Sequence, residues 1–471
     1  MILMSTSVNQ FFGTLFSGQF ASRLVLVFAA GFAVLISPVM LPAGYMDSSV
    51  AQAQAPAKSD DKANKKAPME GKKTQALSKA VYELITQANE LVDAEQYKQA
   101  LQVLDKIKAM PKLTPYETAQ LYSFYGFLYF NAERYPEAVT AYNTVLKQPE
   151  LPPPLQQQTI RTLAQLAFVT EDYPAAIKYA NQYLTDVGPD ADIYVVLATA
   201  YYQQEKYKDI IPPVEKAIDM YAKDGKGPKE QWLLLLRVAY WELKDYKKVK
   251  DVLEQLVAGW PKKEYLTQLS GVYYELKDEA GQLAAFEAAY DAGWLSSNAE
   301  LVQMAQLFMQ AEIPYKGAVV LEKGLESKQI ERNERNLRLL SQAWQMAQED
   351  RKAISPLKEA AALSGNGELY VGLAQSYFNL SEYSPCIDSA KQGISKGGLK
   401  SPGNAYMVLG MCQFESKSLS AAKESFRRAL SDAKVAKNAS SWISYVESEE
   451  ERQQQLKESM SKVESKEAQS S

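Results

Sequence analysis

The side chains able to carry chemistry in this chain are few, and their types narrow the choice early. Histidine is absent from all 471 residues. That removes the usual general base, the usual activator of a nucleophile and the commonest nitrogen ligand for zinc or iron. Carboxylates, lysines and 29 tyrosines remain, yet they form no Gly-rich phosphate loop, no GxSxG elbow and no carboxylate spacing of calcium-loop type. The sequence therefore predicts a protein that is not an enzyme, with no catalytic or metal-binding residues and no cofactor. What recurs instead is a set of aromatic side chains at one register: Phe130, Phe168, Tyr202, Trp241, Phe378 and Phe414. Aromatic anchors bury much area at little side-chain entropy, which suits an extended peptide, an apolar helix or stacked sugar rings. The competing reading is plain packing, since an aromatic stripe at helical spacing usually belongs to a core.

These rings are positioned by a repeat. From about Ala76 onward an aromatic is followed three residues later by a small or apolar residue: Tyr97 with Ala100, Tyr135 with Ala138, Tyr173 with Ala176, Tyr207 with Ile210, Tyr246 with Val249, and Tyr383 with Cys386. The first five second positions recur at intervals of 38, 38, 34 and 39 residues, near the period of about 34 of one helical-pair repeat. Upstream of each mark a further small residue precedes an apolar or aromatic one, as in Gly126 with Tyr129, Ala198 with Tyr201 and Ala374 with Tyr377. Downstream come buried-type positions such as Tyr142 and Val145, or Phe426 and Ala429. The spacing i, i+3, i+4, i+7 on both sides of a polar turn describes two amphipathic helices, and the small residues let their axes approach closely. The aromatic set falls on the first helix of each pair, four residues after its small residue.

In this pattern the chain resembles the tetratricopeptide (TPR) repeat family, most clearly at Leu409, Gly410, Ala422, Phe426 and Ala429. Ten copies are read, centred on Ala100, Ala138, Ala176, Ile210, Val249, Leu283, Gly317, Ala353, Cys386 and Ala422. Copies six to eight are the least regular. Around Leu283 the residue Phe286 stands one position off the pattern, and copy seven registers on either Gly317 or Ala318. The resemblance implies an all-α, right-handed superhelical solenoid of helix-turn-helix pairs with a concave inner surface. It also implies that the aromatic set lies on that surface and that the partners are other proteins, with a glycan as the alternative. Members of the family that clamp acidic chaperone tails use Lys and Asn on the inner face. Here the matching positions are Ser123 and Phe127, Val195 and Thr199, and Val371 and Gln375, so that clamp is missing. Met407 and Met411 extend an apolar patch or fill the core. Cys386 and Cys412 fall on helices that the repeat makes neighbours. An oxidising compartment would allow a disulfide, but the demanding geometry of a bridge favours reading both as small residues in tight contacts.

The rest of the chain supplies a layout. Residues 1–53 read as a signal peptide or membrane anchor: Arg23 precedes the apolar run Leu24 to Ile36, and a small-x-small site follows at Ala51 to Ala53. Residues 54–75 are a Lys/Ala/Pro linker with almost nothing large to bury. Residues 76–435 form the repeat array. Residues 436–471 form a capping helix, with Trp442, Ile443, Tyr445 and Val446 on one face, and a polar tail. A net charge of −4 gives no electrostatic footprint for nucleic acid. This order of export segment, tether and long repeat array is similar to that of periplasmic TPR proteins of marine gammaproteobacteria described as components of TonB systems. The similarity implies a periplasmic adaptor coupling an inner-membrane ExbB–ExbD–TonB motor to outer-membrane uptake. Contact with the inner membrane is expected only if the N-terminal segment is retained. The competing role is a scaffold for polysaccharide export or outer-membrane assembly.

Overall fold

The computed structural model describes residues 76–470, with side chains as far as residue 461. The export segment (1–53) and the linker (54–75) read from the sequence lie outside the described residues. Those described form 21 helices and no strand. They divide into two compact units, one ending at Leu163 and the other beginning at Ala164. The first contains α1 (Lys79–Asp93), α2 (Tyr97–Lys108), α3 (Pro115–Asn131), α4 (Tyr135–Leu146) and most of α5 (Pro153–Val169). The second contains α6 (Tyr173–Asp186), α7 (Ala191–Gln203), α8 (Tyr207–Lys223), α9 (Glu230–Glu242), α10 (Tyr246–Gly259), α11 (Lys263–Glu275), α12 (Glu279–Asp291) and α13 (Asn298–Gln310). It continues with α14 (Pro314–Glu326), α15 (Glu334–Met346), α16 (Asp350–Leu363), α17 (Glu368–Asn379), α18 (Tyr383–Lys396), α19 (Pro402–Glu415), α20 (Leu419–Ala429) and α21 (Ala436–Ser470). Helices α1 to α20 follow one another as ten pairs, one for each copy read in the sequence.

One turn sets the register in all ten pairs. The first helix ends on a non-glycine residue in the left-handed region: Glu95, Glu133, Glu171, Glu205, Lys244, Lys277, Glu312, Gln348, Ser381 and Lys417, with φ between 56° and 66°. The amide after it reaches back to the carbonyl five residues earlier, as from Gln96 to Leu91 at 2.7 Å, Arg134 to Tyr129 at 2.8 Å and Lys206 to Tyr201 at 3.0 Å. This is the Schellman closure that satisfies the last carbonyls of a helix. The left-handed residue costs about 1 kcal/mol without glycine, and the satisfied helix end offsets it. Because the second helix starts two residues after the left-handed one, its fourth residue faces the first helix.

That fixed start corrects one register and decides another. In pair six the fourth residue of α12 is Gln282 rather than Leu283, and Phe286 then stands where Tyr142 and Phe426 stand in their own pairs. Phe286 is buried while Leu283 is only half-buried. Ser270 donates its hydroxyl to the carbonyl of Gln282 at 2.9 Å, and Gly281 leaves room for the ring of Tyr273. In pair seven the slot is Gly317, where a Cβ would stand 2.8 Å from the carbonyl oxygen of Ala305.

Within each unit the helices bury their stripes in local clusters shared by neighbouring pairs. In the first unit Val81, Ile85, Leu104, Ile107, Leu121 and Leu128 form one such cluster. In the second, Phe308, Leu321, Leu337 and Trp344 form another. Electrostatics tie pairs together at helix starts. Ser297 caps α13, and Glu300 completes the capping box by accepting from the amides of Ser296 and Ser297, each at 3.1 Å. The other oxygen of Glu300 meets Lys263 of α11 at 2.5 Å. Partial burial works to raise the carboxyl pKa, but Lys263 and the hydroxyl and amides of Ser296 and Ser297 outweigh it and hold it at about 2. A carboxyl depressed in the folded state contributes stability above its unfolded pKa, and loses it as pH falls from about 4.5 towards 2. Glu300→Gln is therefore expected to cost about 1–2 kcal/mol at pH 7 after solvent screening and almost nothing near pH 2. Urea titrations of both proteins across that window check this, and a cost independent of pH would show that charge is irrelevant there.

The C-terminal end is covered by α21. Ala439 and Val446 are fully buried, and Trp442 stacks on Phe426 with centroids 5.3 Å apart. Lys423 of α20 bridges Glu447 and Glu450, both at 3.1 Å. Tyr445 keeps 57% of its surface exposed while its ring lies 5.2 Å from Phe414. Cys386 of α18 and Cys412 of α19 are joined as a disulfide, with Cα atoms 6.1 Å apart and both residues fully buried. The sequence reading preferred two unlinked small residues. The structure overturns that preference: both residues fill tight helix contacts, and the helices approach closely enough for the two side chains to bond. No helix among the described residues is long and apolar enough to cross a membrane.

Candidate partner-binding face

The first helices touch their counterparts in successive pairs: α7 meets α9, α13 meets α15, and α17 meets α19. A wall of first helices thus runs through these parts of the second unit, and residues near the ends of those helices sit beside one another along it.

The aromatic set sits at the last turn of these helices, and the structure gives each ring a neighbour. Phe130 packs on Tyr135 with centroids 5.9 Å apart, Phe168 on Tyr173 at 5.7 Å, Trp241 on Tyr246 at 5.6 Å and Phe378 on Tyr383 at 6.1 Å. In these four pairs the neighbour is the tyrosine five residues on, which opens the second helix of the same pair. Tyr202 and Tyr207 have the same spacing, and burial raises the pKa of both phenols. The left-handed turn brings the two ring positions together, so each doublet braces the corner of its own pair. All five first-helix rings are half-buried and keep a face towards solvent. Phe414 differs: it is 6% exposed and lies against Trp442 and Tyr445 of α21.

One residue on this wall was not singled out from the sequence. The small-residue slot of the first helix, seven positions before the left-handed turn, holds Ala198, Ser270, Ala305, Ser341 and Ala374 in other pairs and Arg237 in pair five. Counting back from the turn would have exposed it, because the other nine copies carry Ala, Gly or Ser there. Arg237 cannot fit its side chain against α10 and extends along the wall instead. Its Nη1 donates to Oε1 of Gln268 on α11 at 2.8 Å, while Nε is buried without an acceptor. Protein surrounds most of the guanidinium, and the residue keeps a partial opening to solvent. Desolvation lowers its pKa, and the phenols of Tyr265 and Tyr202 oppose that. No group of three or more His, Cys, Asp or Glu side chains among the described residues is arranged to hold a metal ion.

Residues 161–224 match a family model described as tetratricopeptide repeat. The matched stretch covers most of pair three and the whole of pair four, and the other pairs share its left-handed turn. Over this stretch the helix pairs match tetratricopeptide repeats, an architecture suited to protein–protein interaction and typically without catalysis of its own. No curated protein matches the sequence. Similar solved structures include the TPR2AB domain of yeast Sti1 in complex with pHSP90, with 15% identity over 55% of this chain and 98% of that one at a TM-score of 0.33. A second is MamA from Desulfovibrio magneticus RS-1, with 14% identity over 37% of this chain and 94% of that one at a TM-score of 0.31. A third is Naa15/Naa10 bound to HypK, with 15% identity over 78% and 66% at a TM-score of 0.38.

Proposed function

We propose that this chain is a non-enzymatic periplasmic adaptor that holds protein partners along its first-helix wall and serves a TonB-dependent energy-transduction and uptake system. The observation that carries the holding role is the adjacency of first helices within the second unit, where α7 meets α9, α13 meets α15 and α17 meets α19 beside half-buried rings and Arg237. Phe130, Phe168, Tyr202, Trp241 and Phe378 serve as contact rings on their exposed faces. Phe414 is covered by α21 and acts through Tyr445, the exposed ring that it seats. Two features support the location. The apolar run from Leu24 with its small-x-small site has the order of an export signal, and a disulfide between buried cysteines belongs to an oxidising compartment. The TonB assignment draws its support from the layout of export segment, Lys/Ala/Pro tether and repeat array.

The test is capture of the intact protein from the source cell's envelope after mild crosslinking, with mass spectrometry of the partners and of the N-terminal peptide. Recovery of ExbB, ExbD or TonB subunits and an N-terminus at Gln54 are the expected results. Recovery of polysaccharide-export or barrel-assembly machinery without them would replace the TonB assignment. An intact Leu24 to Leu41 segment would make this an inner-membrane-tethered adaptor.

A further inference from the structure

Arg237 is a cation placed where the fold provides nothing to neutralise it. No carboxylate among the described residues pairs with it. Glu230, on the same helix, is held by Lys262 at 2.5 Å and by the hydroxyl of Tyr265. Withdrawing a guanidinium from water without a counter-charge is costly, and an alanine or serine would fill this slot as it does in the neighbouring pairs. The cost falls on a residue that stability does not need.

The geometry says what would repay it. Gln268 takes Nη1, which fixes the plane of the guanidinium and leaves the edge formed by Nε and Nη2 without a hydrogen bond. That edge binds carboxylates with two parallel bonds. Elsewhere in this chain Arg332 gives the same two atoms to Glu359, at 2.6 Å each. At Arg237 that edge carries no carboxylate: Nε is buried, and Nη2 is the nitrogen left for a partner to meet, between the first helices of pairs four and six.

We propose that Arg237 is the carboxylate anchor of the partner-binding face, taking one carboxylate of an extended protein segment on Nη2 while Gln268 holds the guanidinium in place. The inference rests on the reading that this face holds protein. It adds the chemistry of the partner, an acidic side chain or a free C-terminus.

Two random peptide libraries presented to the intact protein distinguish these sources and test the site. One has free C-termini and no acidic side chains, and the other has amidated C-termini with Asp and Glu allowed. Selected peptides are expected to carry a carboxylate. Neutralising it, by Asp→Asn or by amidation, should weaken binding to the unaltered protein by about ten- to a hundredfold. Arg237→Met should give a similar loss while the melting temperature holds or rises, because a buried unpaired charge is removed. Enrichment in the first library identifies a C-terminus, and enrichment in the second an acidic side chain. Peptides whose affinity ignores both neutralisation and Arg237→Met would overturn the anchor and leave the protein-holding reading intact. Failure to select any peptide would overturn both. The ligand-side substitutions keep the test valid even where the Arg237 variant folds poorly.

Discussion

Replacing Phe426 with alanine is expected to cost about 3–5 kcal/mol and to release α21 from the end of the array. The side chain is fully buried, and its ring occupies the space that a Cβ on Gly410 would need, with ring atoms 2.6–2.9 Å from that position. A glycine cannot lean into the cavity left behind, so the site collapses poorly and the cavity term stays large. The ring is also the platform for Trp442, the residue that seats α21. Unfolding followed by tryptophan emission and by helical circular dichroism should show an early transition confined to the C-terminal pairs, since repeat arrays unfold by neighbours rather than as a whole. Gly410→Ala should be strongly destabilising alone and much milder in the Phe426→Ala background. Additive costs for the two substitutions would show that glycine and ring are not packed as a unit.

The same complementarity explains what the sequence revealed and what it hid. Glycine faces a large ring in pairs two and ten, as Gly126 faces Tyr142 and Gly410 faces Phe426, and such pairs announce themselves by residue type. Pair six has Ser270 and Gln282 in its facing slots and no tyrosine to open α12, so nothing in its composition marks the register. Only the backbone does, through the left-handed Lys277. Those ten turns are invisible to a search for glycine because Glu, Lys, Gln and Ser occupy them. The aromatic set was legible as spacing. Its ring partners were legible only once the turn was known, because five residues of sequence separation become contact through that one left-handed residue. Arg237 was hidden for the opposite reason: a search for small residues passes over the copy that lacks one.

Reduction of the bridge between Cys386 and Cys412 is expected to lower the stability of the last two pairs by about 3.5 kcal/mol, the loop-closure value for the 26-residue separation of the two cysteines. The bridge ties α18 to α19, so it couples pair nine to pair ten by a covalent bond at the place where each otherwise depends on the other's buried surface. Both cysteines are fully buried, and a thiol reagent reaches them only when the end of the array opens. Native protein should therefore resist reduction that proceeds readily in moderate urea. Once reduced, the chain should show faster amide exchange in α17 to α21, with α1 to α4 unchanged. Cys386→Ala with Cys412→Ala should reproduce that pattern, because alanine keeps the close packing and removes only the link. Identical exchange in oxidised, reduced and doubly substituted protein would mean that packing alone holds these helices. It would also remove the disulfide as support for an oxidising compartment, leaving the proposed location to rest on the N-terminal segment.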